Sequence, residues 1–124
     1  MRDYSRLEVW ELAHRFVLDL YTTTKLYPAD ERYGLTSQTR RAAASIPANI
    51  AEGCGRSSKV DFARFLDIAA GSASEVEYHL LLAKDLGYLP EEQHSHLSEC
   101  VRRVKKMLHA YSQAIRRNPR DKDK

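Results

Sequence analysis

Leu97-Ser98-Glu99-Cys100-Val101-Arg102-Arg103-Val104-Lys105-Lys106-Met107-Leu108-His109-Ala110-Tyr111-Ser112-Gln113-Ala114-Ile115 carries the pattern that decides the fold. Leu97, Val101, Val104, Leu108, Tyr111 and Ile115 alternate four and three residues apart. That spacing lines them along one seam of a helix, of the kind that packs on other helices with a left-handed twist. Just upstream, Pro90-Glu91-Glu92 opens the helix with a proline at or near the first turn and acids at the positive end of its dipole. Downstream, Asn118-Pro119 stops it.

Working back along the chain, Gly87 predicts the end of a preceding helix, with Tyr88-Leu89 making the apolar contact that often follows such a stop. This third helix begins after Ser57 or Ser58, and Ser58-Lys59-Val60-Asp61 reads as a capping box with Asp in place of Glu. Its apolar face is Phe62, Phe65, Leu66, Ala69, Ala73, Val76, Leu80 and Ala83. The small residues Gly71-Ser72-Ala73-Ser74 mark a close crossing with a neighbour.

A second helix is predicted from about Gly34 to Gly53, with Thr36 or Ser37 as its N-cap and Ala42, Ala43, Ile46, Ile50 and Gly53 on one face. Pro47 lies inside it, and because the periodicity continues through Ala48-Asn49-Ile50 the expectation is a kink and not a break. Gly53-Cys54-Gly55 is expected to end the helix through a glycine at positive φ. The first helix is expected over about residues 6–26. It has one stripe of Leu7, Trp10, Ala13, His14, Val17, Tyr21 and Thr24 and a second of Val9, Leu12, Phe16 and Leu20, an arc wide enough to bury more than one side. Pro28 and the polar run Ala29-Asp30-Glu31-Arg32 end it. Four helices with short connections predict an all-α, antiparallel up-down four-helix bundle over residues 1–117, followed by a basic, disordered tail over 118–124.

The chain has 124 residues, enough for one domain with a core that needs no disulfide or metal. No stretch approaches the roughly 20 apolar residues of a membrane span, and the charged N-terminus lacks a signal-peptide core, so the cytoplasm is the expected compartment. Cys54 and Cys100 form no CxxC pattern and read as reduced residues in or near the core. The net charge is only +3, but it is unevenly placed. Residues 100–124 hold nine Lys/Arg and two Asp, whereas residues 1–99 hold eleven Lys/Arg and fifteen Asp/Glu. An acidic body with a basic end suggests an anionic partner for that end; a solvated helix face with a disordered tail accounts for it equally well.

The run Gly34-Leu35-Thr36-Ser37-Gln38-Thr39-Arg40-Arg41-Ala42-Ala43-Ala44-Ser45-Ile46-Pro47-Ala48-Asn49-Ile50-Ala51-Glu52-Gly53 is long and unusual. With Leu7-Glu8-Val9-Trp10 before it and Ala83-Lys84-Asp85-Leu86-Gly87-Tyr88 after it, the chain resembles a family of bacterial four-helix-bundle proteins. These were first noted as products of intervening sequences in large-subunit (23S) ribosomal RNA genes. The accessory variability proteins of diversity-generating retroelements look like the same family. The resemblance covers roughly residues 4–115. It implies a bundle that assembles into a homopentamer and, for the retroelement branch, binding to nucleic acid and to a reverse transcriptase; it implies no catalysis. Arg40, Arg41, Pro47, Asn49, Glu52 and Gly53 are the structural residues of the motif. Cys54 stands where relatives often carry an aromatic, so a stacking role there does not carry over.

Catalytic readings fare poorly. Gly53-Cys54-Gly55-Arg56-Ser57-Ser58-Lys59 lacks the spacing and the preceding strand of a phosphate loop. Arg56 and Lys59 at the start of the third helix remain candidates for holding one phosphate, against the alternative of an ordinary capped helix start. His94 and His96 point apart on a helix, and His96 with Cys100 lacks a third ligand nearby in sequence, so no metal and no cofactor is expected. Of Arg40 and Arg41, one is expected to reach a carboxylate such as Glu52 or one on a neighbouring subunit and the other to face solvent; structural pairing accounts for them at least as well as phosphate contact. The best functional candidates are Arg102, Arg103, Lys105 and Lys106, which lie off the seam and so are free to face outward, extended by Arg116, Arg117, Arg120, Lys122 and Lys124. Repetition in an oligomer turns such a patch into a multivalent phosphate-binding surface with steep salt dependence. With no aromatic among these bases beyond Tyr111, stacking on single-stranded bases is not indicated. The expected function is therefore a non-catalytic, oligomeric accessory protein that binds RNA or DNA and docks a reverse transcriptase or ribonucleoprotein through its basic surface. The alternative is a protein-interaction scaffold with no nucleic-acid role.

Overall fold

The structure is a computed structural model that describes residues 2–118. Four helices follow one another: α1 (Glu8–Thr24), α2 (Leu35–Cys54), α3 (Lys59–Asp85) and α4 (Glu91–Arg117). Short 3-10 turns at Tyr4–Arg6 and Ala29–Glu31 precede α1 and α2. Cross-helix pairs set the directions. Arg2 meets Cys54 while Thr24 meets Arg40, Arg41 meets Glu75 while Ser45 meets Ser72, and Asp67 meets Ser112 while Glu77 meets Arg102, so each helix runs antiparallel to the next. Contacts between α1 and α4 close the bundle. The expected tail beyond Asn118, with Arg120, Lys122 and Lys124, lies outside the described residues.

The α4 seam forms as its spacing predicts. Leu97, Val101, Val104, Leu108 and Ile115 are buried, and half-buried Tyr111 meets Phe62 edge-on at 5.4 Å. The whole predicted apolar face of α3 is buried too. In α1 the buried line is Val9, Ala13, Phe16, Leu20 and Thr24, drawn from both stripes. Leu18 and Tyr21 are left exposed on another side. The helix is shorter than its periodicity: Leu7 is extended at its N-cap, and Lys25 begins the turn.

The only positive φ among the described residues belongs to Gly87, at 83°. There Tyr88 N–H donates to the Ala83 carbonyl at 2.9 Å and Gly87 N–H to that of Lys84 at 3.0 Å, the paired bonds of a Schellman stop. Gly53 does not end α2. It is buried inside it, because a Cβ there would lie 2.8 Å from Phe65 Cβ and 2.9 Å from Phe62 Cδ1. Gly53 thus lets α3 approach α2, and the helix closes two residues later with Gly55 at φ −84°.

The N-cap of α2 is neither Thr36 nor Ser37. Glu31, one turn upstream, accepts from Leu35 N–H at 2.9 Å, and Thr36 is buried. Ser58 does cap α3, accepting from Asp61 N–H at 3.1 Å, but the Asp61 carboxylate turns to Arg64 and Arg56 and does not close the box. The chain continues unbroken through buried Pro47. The turn before it is braced by Ser45, whose carbonyl accepts from the Asn49 amide at 2.8 Å and whose hydroxyl meets Ser72 at 2.6 Å. The close crossing read from the small residues of α3 lies on the Ser72 side; Gly71 faces open space.

Two substitutions separate these glycine roles. Gly53→Ala is expected to destabilise by about 1–3 kcal/mol through overpacking, despite the better helix propensity of alanine. Gly71→Ala is expected to stabilise the fold of the single chain by up to about 1 kcal/mol, since nothing within the chain opposes the new methyl group. Urea unfolding of both variants checks the pair.

Candidate nucleic-acid interface

Once the α4 seam faces the core, Arg102, Arg103, Lys106, Arg116 and Arg117 are exposed on its outer face, with Lys105 half-buried. Whether each is available depends on α3, which runs alongside in the opposite direction. Glu77 of α3 lies between Arg102 and Lys105. Arg102 Nε donates to Glu77 Oε2 at 2.7 Å, and Lys105 Nζ donates to Oε1. Glu77 has only a fifth of its side chain exposed. Partial burial works to raise its pKa, but the bonds and charges of Lys105 and Arg102 outweigh this and hold the carboxyl below the ordinary value. Arg116 is likewise bound to Asp67, which also accepts from buried Ser112 at 2.7 Å. The expectation that all four central bases point freely outward is therefore corrected: Arg102 and Lys105 are half-neutralised. Arg103, Lys106 and Arg117 make no ion pair among the described residues.

Arg103 and Lys106, but not Arg117, border an open groove of about 520 Å³, walled by Glu77, Glu99, Arg102, Arg103, Lys105, Lys106 and His109. Four cations face two carboxylates, so the groove is net positive. Arg103 also lines a smaller groove toward α1, beside Arg15 and Asp19. It thus stands between the two depressions and serves both.

The other candidates separate from this surface. Arg56 bonds Glu52 at 2.9 Å, lies 3.7 Å from Asp61, and covers the Phe65 ring at 4.7 Å. Lys59 is half-buried and already engaged. At the start of α3 the Arg56 guanidinium is thus already engaged by Glu52 and Asp61, although its buried Nε makes no hydrogen bond. Neither motif arginine reaches Glu52. Arg40 donates to Thr24 Oγ1 at 2.8 Å and to the Tyr21 carbonyl at 3.2 Å, tying α2 to the end of α1. Arg41 binds Gln38 and, at 3.4 Å, Glu75 of α3. Close by, burial lowers the pKa of His79, against the raising effect of Glu75.

Cys54 is buried and Cys100 half-buried, both as free thiols whose pKa burial pushes up. His94 bonds Ser98, and His96 lies 4.0 Å from Cys100. Among the described residues, no group of three His, Cys, Asp or Glu is placed to hold a metal ion, and no helix is long and apolar enough to cross a membrane. The residue that sequence reasoning missed is Glu77. Its partners are 25 and 28 positions away, and only the register of α3 against α4 reveals them.

Four antiparallel helices with a basic outer face on the last define an all-α bundle protein. The pattern of the 23S rRNA-intervening sequence protein family matches residues 5–110, and the chain belongs to that family. It is also similar to a solved Bacteroides thetaiotaomicron protein of unknown function from the S23 ribosomal protein family. The two share 26% identity over 85% of this chain and 95% of that one, with a TM-score of 0.78. No curated protein matches the chain.

Proposed function

We propose that this protein is a non-catalytic, oligomeric accessory protein that binds RNA or DNA backbone through the outer face of α4. The supporting observation is the set Arg103, Lys106 and Arg117, exposed on one helix face and without ion-pair partners among the described residues, with Arg103 and Lys106 lining a net-positive groove. Arg102 and Lys105 add charge that Glu77 partly cancels; Arg56 and Lys59 contribute little, being engaged at the start of α3. The same face is the surface proposed to dock a reverse transcriptase or ribonucleoprotein.

Self-association is part of the proposal. Val60, Ile68, Tyr78 and Leu81 on α3, with Leu18 and Tyr21 on α1, are large apolar residues left exposed by the single chain. Such surface is best covered by further copies, and the proposed state is a homopentamer. The same exposed residues favour the second reading, a protein-interaction scaffold.

Fluorescence anisotropy with labelled duplex DNA and structured RNA across a salt series tests the reading. Three phosphate contacts per protomer give an expected slope of log K against log salt of about −3 for one engaged protomer, steeper when several engage. No binding at 50 mM salt, set beside an intact oligomer, favours the scaffold.

A further inference from the structure

A second basic site lies away from the outer face of α4, at the corner where α1 passes into α2. A pocket of about 250 Å³ there is lined by residues that include Thr24, Lys25, Tyr27, Arg32, Thr36 and Arg40. Three of these are cations and none is a carboxylate. Lys25, Arg32 and Arg40 make no ion pair among the described residues. The acids adjacent to Arg32 in sequence are otherwise placed: Glu31 is held by Leu35 N–H and the Tyr88 hydroxyl, and Asp30 does not line the pocket. Thr36 is only 9% exposed, and its hydroxyl makes no hydrogen bond among the described residues.

The carbonyl end of a helix ordinarily repels anions. Here that end is quenched: the Tyr21 carbonyl accepts from Arg40, that of Thr23 from Leu26 N–H, and that of Thr24 from Tyr27 N–H. Thr24 Oγ1 is fixed between the Leu20 carbonyl and Arg40 Nε, which holds the guanidinium in place. A positioned arginine, two cations at the rim and a hydroxyl free of protein partners are what a small oxyanion requires.

We propose that this pocket binds a phosphate monoester group. Three cations with no opposing carboxylate match a dianion better than the single charge of a backbone phosphodiester. The site is independent of the α4 surface, and its test separates the two. Titration calorimetry with inorganic phosphate, at constant ionic strength in chloride, is expected to show saturable binding to the full chain. Lys25→Gln/Arg32→Gln is expected to weaken it at least tenfold, with an unchanged melting temperature because both side chains are exposed and unpaired. Thr36→Val is expected to weaken it several-fold. Arg103→Gln/Lys106→Gln is expected to leave it intact even if nucleic-acid binding is lost. A 5′-phosphorylated dinucleotide that binds better than its 5′-hydroxyl form assigns the group to a nucleic-acid end; equal weak binding of the two assigns it to a small free phosphate. Absence of phosphate binding by the unaltered chain, or equal binding by Lys25→Gln/Arg32→Gln, overturns the proposal.

Discussion

Phe62→Ala is expected to lower the unfolding free energy by about 3–5 kcal/mol, the range for removing a fully buried aromatic side chain. Phe62 is the largest of the fully buried side chains, at 1% exposure. Its ring lies against Gly53 of α2, meets Tyr111 of α4 edge-on at 5.4 Å, and is covered by the Arg2 guanidinium at 4.3 Å. One side chain therefore joins three segments of the bundle with the chain start. Removing it leaves a cavity that cannot collapse easily, because α2 and α3 already approach as closely as Gly53 permits. Urea unfolding monitored by circular dichroism measures the loss. A cost under about 1 kcal/mol would mean that this corner is not packed as described.

Glu77→Gln is expected to act in opposite directions on stability and on binding. The carboxylate accepts charge-assisted bonds from Arg102 and Lys105 in a half-buried setting, so its neutralisation is expected to cost about 1.5 kcal/mol. The sign with pH follows from its lowered pKa. The carboxylate's contribution is fully present above the ordinary carboxylate range and is lost as pH falls through the folded-state value. The stability gap between the native chain and Glu77→Gln should therefore close on acidification below about pH 4.5. Binding moves the other way. Two cations released from an internal partner become available to phosphates, which steepens the salt slope by about 1.8 per protomer and tightens binding at low salt. Unfolding from pH 3 to 7, with anisotropy at two salt concentrations, checks both arms. A variant that binds nucleic acid more weakly than the native chain, while still folded and assembled, would contradict the screening role assigned to Glu77.

Periodicity carries information about which face of a helix is buried, and it was sufficient wherever a helix packs on one side. The α4 seam and the apolar face of α3 were legible for that reason. It fails where the apolar arc of a helix is wider than the face it buries. In α1 the buried line takes Ala13 and Thr24 from one stripe and Val9, Phe16 and Leu20 from the other, and nothing in the spacing chooses between them. Glycine is ambiguous in another way. Gly53 serves close approach and Gly87 serves positive φ, yet both precede short turns in the sequence. The basic residues of α4 were legible as a set, but their availability was not, because Glu77 and Asp67 meet them only through the α3–α4 register. The same holds for Arg40, whose partners at the end of α1 are backbone and hydroxyl oxygens that leave no charge pattern to read.

The claim that the outer face of α4 contacts nucleic acid is tested most directly by comparing Arg103→Gln/Lys106→Gln with Lys25→Gln/Arg32→Gln. Each removes two exposed, unpaired cations and so changes net charge equally. The measurement is anisotropy of labelled duplex DNA and structured RNA at 50 mM salt, with the oligomeric state of each variant checked by light scattering. The account predicts that the α4 pair weakens binding at least tenfold and reduces the salt slope by about 1.8 per protomer, whereas the pair at the α1–α2 corner leaves backbone binding nearly unchanged. Equal losses from both pairs, or none from the α4 pair, would contradict it.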